Sequence, residues 1–155
     1  MTTEPATKLQ PRGCTNLKLR QAARLASRHY EAYLRETGLK ITQYSLLSHV
    51  VQLGPLRAGE LAAAMQLDAS TLTRNLQPLV DAGWLQVRAG SDARSRVIEA
   101  TAAGNALRAE AQRAWKRAQL ALNARLGNER IAALHALLDH CIAVLDPHEP
   151  ETPDE

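Results

Sequence analysis

The chain has 155 residues, 45% of them hydrophobic with no phenylalanine, and a formal net charge of +3. That length suits one compact domain with a core of its own, and no run is apolar and long enough to cross a membrane. Basic residues outnumber acidic ones eight to three up to Lys40, balance them over residues 54–104, and are outnumbered in the remainder, so affinity for phosphate has to rest on where the arginines stand and not on bulk charge.

Residues 1–13 are polar and read as a flexible arm. Residues 14–37 predict a first helix with Leu19, Ala22, Ala23, Ala26, Tyr30, Tyr33 and Leu34 as its apolar stripe, and Gly38 ends it. Thr42 is the expected cap of a second helix that runs to Val51, where Gly54-Pro55 stops it. Leu56, Leu61, Ala62 and Met65 suit the buried side of a short helix over residues 57–65. Gln66-Leu67-Asp68 is then a turn, with Asp68 or Ser70 as the cap of the next helix. In that helix Leu72, Leu76 and Leu79 share one face. Ser70, Arg74, Gln77 and Asp81 take the opposite face, with Thr71 and Thr73 on its flanks. Pro78 lies inside it and lacks an amide donor, which predicts a kink or a loosened last turn. Gly83 is the expected left-handed cap.

Residues 84–87 and 97–100 predict two short strands joined by turn residues Ala89-Gly90-Ser91-Asp92. Arg88, Arg94 and Arg96 gather near the tip of this hairpin. Three arginines there serve contacts with phosphates or a minor groove, not the stability of the hairpin. Asp92 is expected to hold Arg94 by a bidentate ion pair. Thr101 caps a long helix from about residue 102 to 126, closed by Gly127. Asn128 is the expected cap of a last helix with Ile131, Leu134, Leu138, Cys141, Ile142 and Leu145 on one stripe. Residues 147–155 are acidic and Pro-rich, hence expected to be disordered.

Two helices across a tight turn, followed by a basic hairpin, make a winged helix-turn-helix. The fold class expected is therefore mainly α with a small β-wing. Residues 14–53 and 105–146 form N- and C-terminal dimerisation helices around a DNA-binding unit at 54–104. Ser70, Thr71, Thr73, Arg74 and Gln77 on the second helix, with Arg88, Arg94 and Arg96 on the wing, are the candidate DNA contacts. The terminal stripes are too wide for one small module to cover, which predicts a homodimer.

The segment resembles the winged helix-turn-helix of the MarR (multiple antibiotic resistance regulator) family. The resemblance is carried by Glu60-Leu61-Ala62, Ser70-Thr71-Leu72-Thr73-Arg74, Gly83-Trp84-Leu85, Asp92-Ala93-Arg94-Ser95-Arg96 and Thr101-Ala102-Ala103-Gly104. Flanking pieces such as Thr42-Gln43-Tyr44-Ser45 and Ala111 through Trp115 extend it over residues 14–145. The resemblance implies a dimeric repressor of transcription that binds near-palindromic duplex DNA. It also implies release by a small aromatic or phenolic anion held between the dimer helices and the DNA-binding unit. Arg24, His29, Tyr30, Tyr33, Tyr44, His49 and Trp115 are the candidates for that site, although Tyr30, Tyr33 and Trp115 also stand at core-like spacings.

Some members of the family sense peroxide through a cysteine at the start of the first helix. Cys14 stands about two residues ahead of that position, which Asn16 occupies, and a redox-sensing repressor using Cys14 is an alternative. Cys141 is expected to be a buried, inert core residue. The two cysteines stand far apart and make no disulfide framework. A winged helix used only for protein contacts is a further alternative. No enzymatic activity, cofactor or metal is expected: there is no phosphate-binding glycine loop, and His135 and His140 are five residues apart, off a common helix face. No signal-peptide core is present, so a cytoplasmic protein is expected.

Overall fold

A computed structural model describes residues 10–92 and 94–146. Residues 1–9 of the expected arm and the tail at residues 147–155 lie outside the described residues. Six helices and one hairpin follow in order: α1 (Thr15–Leu34), α2 (Ile41–Leu53), α3 (Ala58–Ala64), α4 (Ala69–Asp81), β1 (Leu85–Ala89), β2 (Arg96–Ala100), α5 (Ala102–Leu126) and α6 (Asn128–Leu145). The chain is thus mainly helical with a two-stranded wing, as the periodicity predicts.

The boundaries follow local hydrogen-bond chemistry. α1 ends at Leu34 and not at Thr37, because residues Arg35–Thr37 tighten into a 3-10 turn closed by left-handed Gly38 (φ 72°). α2 begins one residue before the expected cap: Lys40 occupies the cap position, and the Gln43 Oε1 accepts its amide at 2.9 Å. Thr42 is consequently inside the helix. α3 starts in the same way, with Glu60 Oε2 accepting the Arg57 amide at 2.7 Å. The last expected cap is also displaced. Gly127 (φ 86°) holds the cap position before α6, and Asn128 is its first helical residue. Thr101 does cap α5, its hydroxyl oxygen accepting the Gly104 amide at 3.0 Å.

The core is built from the faces that the spacing predicts. Leu61 of α3 and Leu72 and Leu79 of α4 are buried against Leu46, Leu47 and Val50 of α2, with Leu85 and Ile98 of the wing. Trp84 is not part of the strand. Its amide reaches back to the Leu79 carbonyl at 3.0 Å, while left-handed Gly83 bonds to Val80, so the two residues close α4. Pro78 does not break that helix: helical structure runs through it to Asp81. It costs one backbone bond, to the Arg74 carbonyl, on an exposed face where water can take the donor's place.

The wing is one antiparallel pair with Val87 opposite Ile98, and Leu56 pairs with Ile98 on the other edge. α5 is fixed to the junction between α4 and β1 by close backbone approach. Thr101 donates its hydroxyl to the Gly83 carbonyl at 2.7 Å, and a Cβ added at Gly104 would lie 2.0 Å from the Trp84 carbonyl oxygen.

The terminal helices differ from the rest. In α1, Tyr30 and Tyr33 are half-buried and Leu34 is fully buried, but Leu19, Ala22 and Ala23 of the same stripe are exposed. In α6 only Ile131 is buried, whereas Leu134, Ile142 and Leu145 are exposed and Cys141 is half-buried and not a core residue. A single chain therefore leaves three of the seven α1 stripe residues and three of the six on α6 exposed.

Substituting Gly104→Ala is expected to destabilise the protein by about 1–3 kcal/mol, because the Trp84 backbone has to move away from α5. Urea denaturation followed by circular dichroism checks this; an unchanged midpoint would mean that α5 and the Trp84 backbone are not in such close contact.

Candidate nucleic-acid interface

Asp68 organises the start of α4. Its Oδ1 accepts the Thr71 amide at 2.7 Å and the Ser70 hydroxyl at 2.7 Å, while its Oδ2 accepts the Thr71 hydroxyl at 2.8 Å. These bonds, the Ser70 hydroxyl foremost, hold the Asp68 carboxyl well below the usual carboxylate range. With their protons committed to Asp68, Ser70 and Thr71 present lone pairs outward. Thr73 donates to the Ala69 carbonyl at 2.8 Å, and Gln77 donates to Asp81 at 2.7 Å. Arg74 is exposed and its side chain makes no hydrogen bond or ion pair among the described residues. Ser70, Thr73, Arg74 and Gln77 all lie on the exposed side of α4, and Thr71 is half-buried at its flank.

The wing carries the other candidates in two states. Arg88 is ion-paired, its Nε 2.7 Å from the Glu99 Oε1, which also accepts from Gln86 at 2.7 Å. The pairing holds the Glu99 carboxyl below its usual range and raises the Arg88 guanidinium. Arg94 and Arg96 are exposed without a side-chain partner among the described residues. The expected Asp92–Arg94 ion pair does not form. Asp92 instead turns its Oδ1 onto the backbone, accepting the Arg94 amide at 3.0 Å and the Ser95 amide at 2.6 Å. Those bonds hold its carboxyl below the usual range. A short side chain two and three residues ahead of these amides reaches them more easily than it reaches a mobile guanidinium. Asp92 supports the wing, but through its main chain. Neither this turn nor the Glu99 anchor of Arg88 follows from composition, although a hairpin register would have placed Glu99 beside Arg88.

Of the seven residues anticipated around a small ligand, His29, Tyr30, Tyr33, Tyr44 and Trp115 form one run of ring contacts, which does not include Arg24 or His49. Tyr30, Tyr44 and Trp115 form a stack between α1, α2 and α5, with Trp115 6.5 Å from Tyr30 and 6.1 Å from Tyr44 between ring centroids. Tyr30 donates its hydroxyl to Gln119, and burial pushes its phenol up. His29 bonds the Ala118 carbonyl at 2.8 Å and packs 5.3 Å from Tyr33. His49 bonds the Ser45 carbonyl at 2.7 Å, and Arg24 is exposed. None of the seven lines either of two clefts. One, of about 460 Å³, lies at the α1–α2 elbow beside Arg28, Arg35 and Lys40. The other, of about 260 Å³, lies among Ser27 of α1, Thr42 and Ser45 of α2, Met65 and Leu67 beside the α3–α4 turn, and Asn75 of α4. Cys14 is exposed ahead of α1.

A recognition-type helix with a polar outer face, seated on a three-helix core and flanked by a basic hairpin, defines a winged helix-turn-helix protein. Comparison with known proteins agrees. Residues 37–95 match the model of the MarR family. The transcriptional regulator MosR of M. tuberculosis, solved in complex with DNA, is 35% identical; the match covers 83% of this chain and 98% of MosR, with a TM-score of 0.69. A mutant of MarR from E. coli, solved with operator DNA, is 21% identical over 82% of this chain and 92% of its own, with a TM-score of 0.74, and shares the fold. The uncharacterized HTH-type transcriptional regulator YwoH of Bacillus subtilis is 31% identical over 84 residues, 54% of this chain. The chain spans 61% of that relative's length. The chain belongs to the MarR family, whose members are transcriptional regulators and not enzymes.

Because the Asp68 carboxyl is depressed in the folded state, its contribution to stability is full at neutral pH and is lost as pH falls below about 4. Asp68→Ala is therefore expected to lower the urea midpoint at pH 7, with the gap from the parent protein closing towards pH 3. A gap that stays constant with pH would show that the carboxylate is not what holds the α4 start.

Proposed function

We propose that this protein is a homodimeric repressor that binds a near-palindromic site in duplex DNA through α4 and the wing. The observation that carries this reading is the pairing of two features on successive elements of the chain. The outer side of α4 presents Ser70, Thr71, Thr73, Arg74 and Gln77, and the neighbouring hairpin presents Arg94 and Arg96, whose guanidinium groups have no partner among the described residues, and Arg88 anchored by Glu99. Hydroxyl, amide and guanidinium groups on an exposed helix suit base edges in a major groove. Free arginines on a hairpin suit phosphates or a narrow minor groove. The DNA-bound state of MosR, at 35% identity over nearly its whole length, supports the same use here.

Dimerisation follows from the uncovered stripes. Leu17, Leu25, Leu134, Leu137, Ile142 and Leu145 are between 42% and 74% exposed in one chain, and a second copy would bury them. A two-fold pair would set its α4 helices into successive major grooves, with half-sites roughly 10 bp apart. Such a protein represses by occupying a promoter in the cytoplasm. A small aromatic anion is the proposed release signal. The cleft of about 260 Å³ between α1, α2 and α4 is of single-ring size; Ile41, Leu46, Met65 and Leu67 give it an apolar wall, and Ser27, Thr42 and Ser45 bring hydroxyls that could donate to a carboxylate or phenolate. Because Asn75 of α4 lies in its wall, an occupant would bias the position of the DNA-facing helix.

The test is selection of bound fragments from the source genome, followed by titration of variants on the recovered duplex. The expected result is a near-palindromic site. Arg94→Ala should weaken binding to all duplexes, whereas Arg74→Ala should cost about 1–3 kcal/mol on the selected site and relax its sequence preference. Unaltered binding by both variants would move the DNA-facing surface elsewhere.

A further inference from the structure

Arg57 stands outside the helix-turn-helix pattern and outside the hairpin, yet the fold brings it to the wing. Leu56 exchanges both backbone hydrogen bonds with Ile98, at 3.1 and 2.8 Å, so the segment before α3 is a third, one-residue edge beside β2. The Leu56 and Ile98 side chains point together into the core, at 7% and 2% exposure. Arg57 follows in extended conformation (φ −75°, ψ 156°), and alternation turns its side chain to the opposite, outer face of the sheet. The edge runs antiparallel to β2, which places Arg57 level with Val97, itself paired with Arg88 on the far side. One row across the outer face of the wing thus reads Arg57, Val97, Arg88.

The Arg57 side chain is not used internally. Its amide is bound by Glu60, which fixes the backbone at this position. Its guanidinium is exposed and makes no hydrogen bond or ion pair among the described residues. Asp92 feels its charge, but that carboxylate is already engaged by two amides of the wing turn. A cation held on a fixed backbone, with five free donors, beside the other arginines of the wing, is arranged to receive an anion from outside.

We propose that Arg57 is a fourth wing arginine, making a sequence-independent contact with a DNA phosphate at the outer face of the wing. This rests on the DNA-binding reading above. The contact widens the interface from the hairpin tip to the edge formed by the α2–α3 connection. Arg57 acts on affinity and salt dependence, and leaves base preference to α4.

The experiment is a fluorescence-anisotropy titration of the full chain with the selected duplex, and with a scrambled duplex of equal length, over a series of salt concentrations. Arg57→Ala is expected to weaken both complexes by a similar factor, roughly threefold to tenfold near 0.1 M salt, as loss of one phosphate contact requires. The slope of log K against log salt should become shallower by about 1. Arg57→Lys keeps the charge and the backbone, and should retain most of the slope. An Arg57→Ala protein with the parental slope, alongside an Arg94→Ala protein with a reduced one, overturns this contact and leaves the DNA-binding reading standing. A parent chain that binds neither duplex overturns both.

Discussion

The burial of Leu72 and Leu79 decides what this protein can touch. Both side chains are essentially inaccessible, at 2% and 0% exposure, and burial of this kind stabilises by about 1.5–3 kcal/mol for each residue. Seven residues apart on α4, they fix its rotation about its own axis, so Ser70, Arg74 and Gln77 have to face outward. The Asp68 cap and the Gly83–Trp84 closure then fix where the helix starts and stops. A polar surface that would carry no information on a freely rotating helix becomes a defined array of donors and acceptors.

The wing extends that array by a different route. Its two strands are short. Leu56 pairs with one edge of it, and the Gly83–Trp84 closure that leads into β1 is held by the Thr101 hydroxyl on the Gly83 carbonyl and by Gly104 against the Trp84 carbonyl. These last two contacts place the start of α5 directly against the junction between α4 and the hairpin. At the other end, the Gln66 side-chain amide donates to Asp146 at 3.0 Å, which joins the α3–α4 turn to the end of α6. The helix-turn-helix is thus held at both ends by the C-terminal helices α5 and α6.

Much of the architecture is legible in the chain because it follows from periodicity and punctuation. The apolar spacings of α3 and α4 and the glycines at positions 38, 83 and 127 placed the elements correctly. So did the Thr101 cap and the arginine-rich hairpin. The misplaced details have a common cause: they depend on which polar group wins a local competition. Gln43 reaches back to the Lys40 amide, so Thr42 is not a cap; Gly127 takes the cap position that Asn128 would have had; Asp92 binds two amides in preference to Arg94. The aromatic residues were ambiguous for another reason. Core spacing and ligand-lining spacing are the same on a helix, and only the stack of Tyr30, Trp115 and Tyr44 shows which neighbours these rings have in the folded chain. Arg57 was out of reach of pattern alone, since its place depends on a pairing between segments forty residues apart.

The central claim is that the outer side of α4 and the wing form one surface for duplex DNA. Hydrogen–deuterium exchange of the protein with and without its selected duplex tests it most directly. The account predicts slowed exchange at the start of α4 and across the wing turn, with α2 and the middle of α5 unchanged. Protection confined to α1 and α6, or spread evenly over the chain, would contradict it.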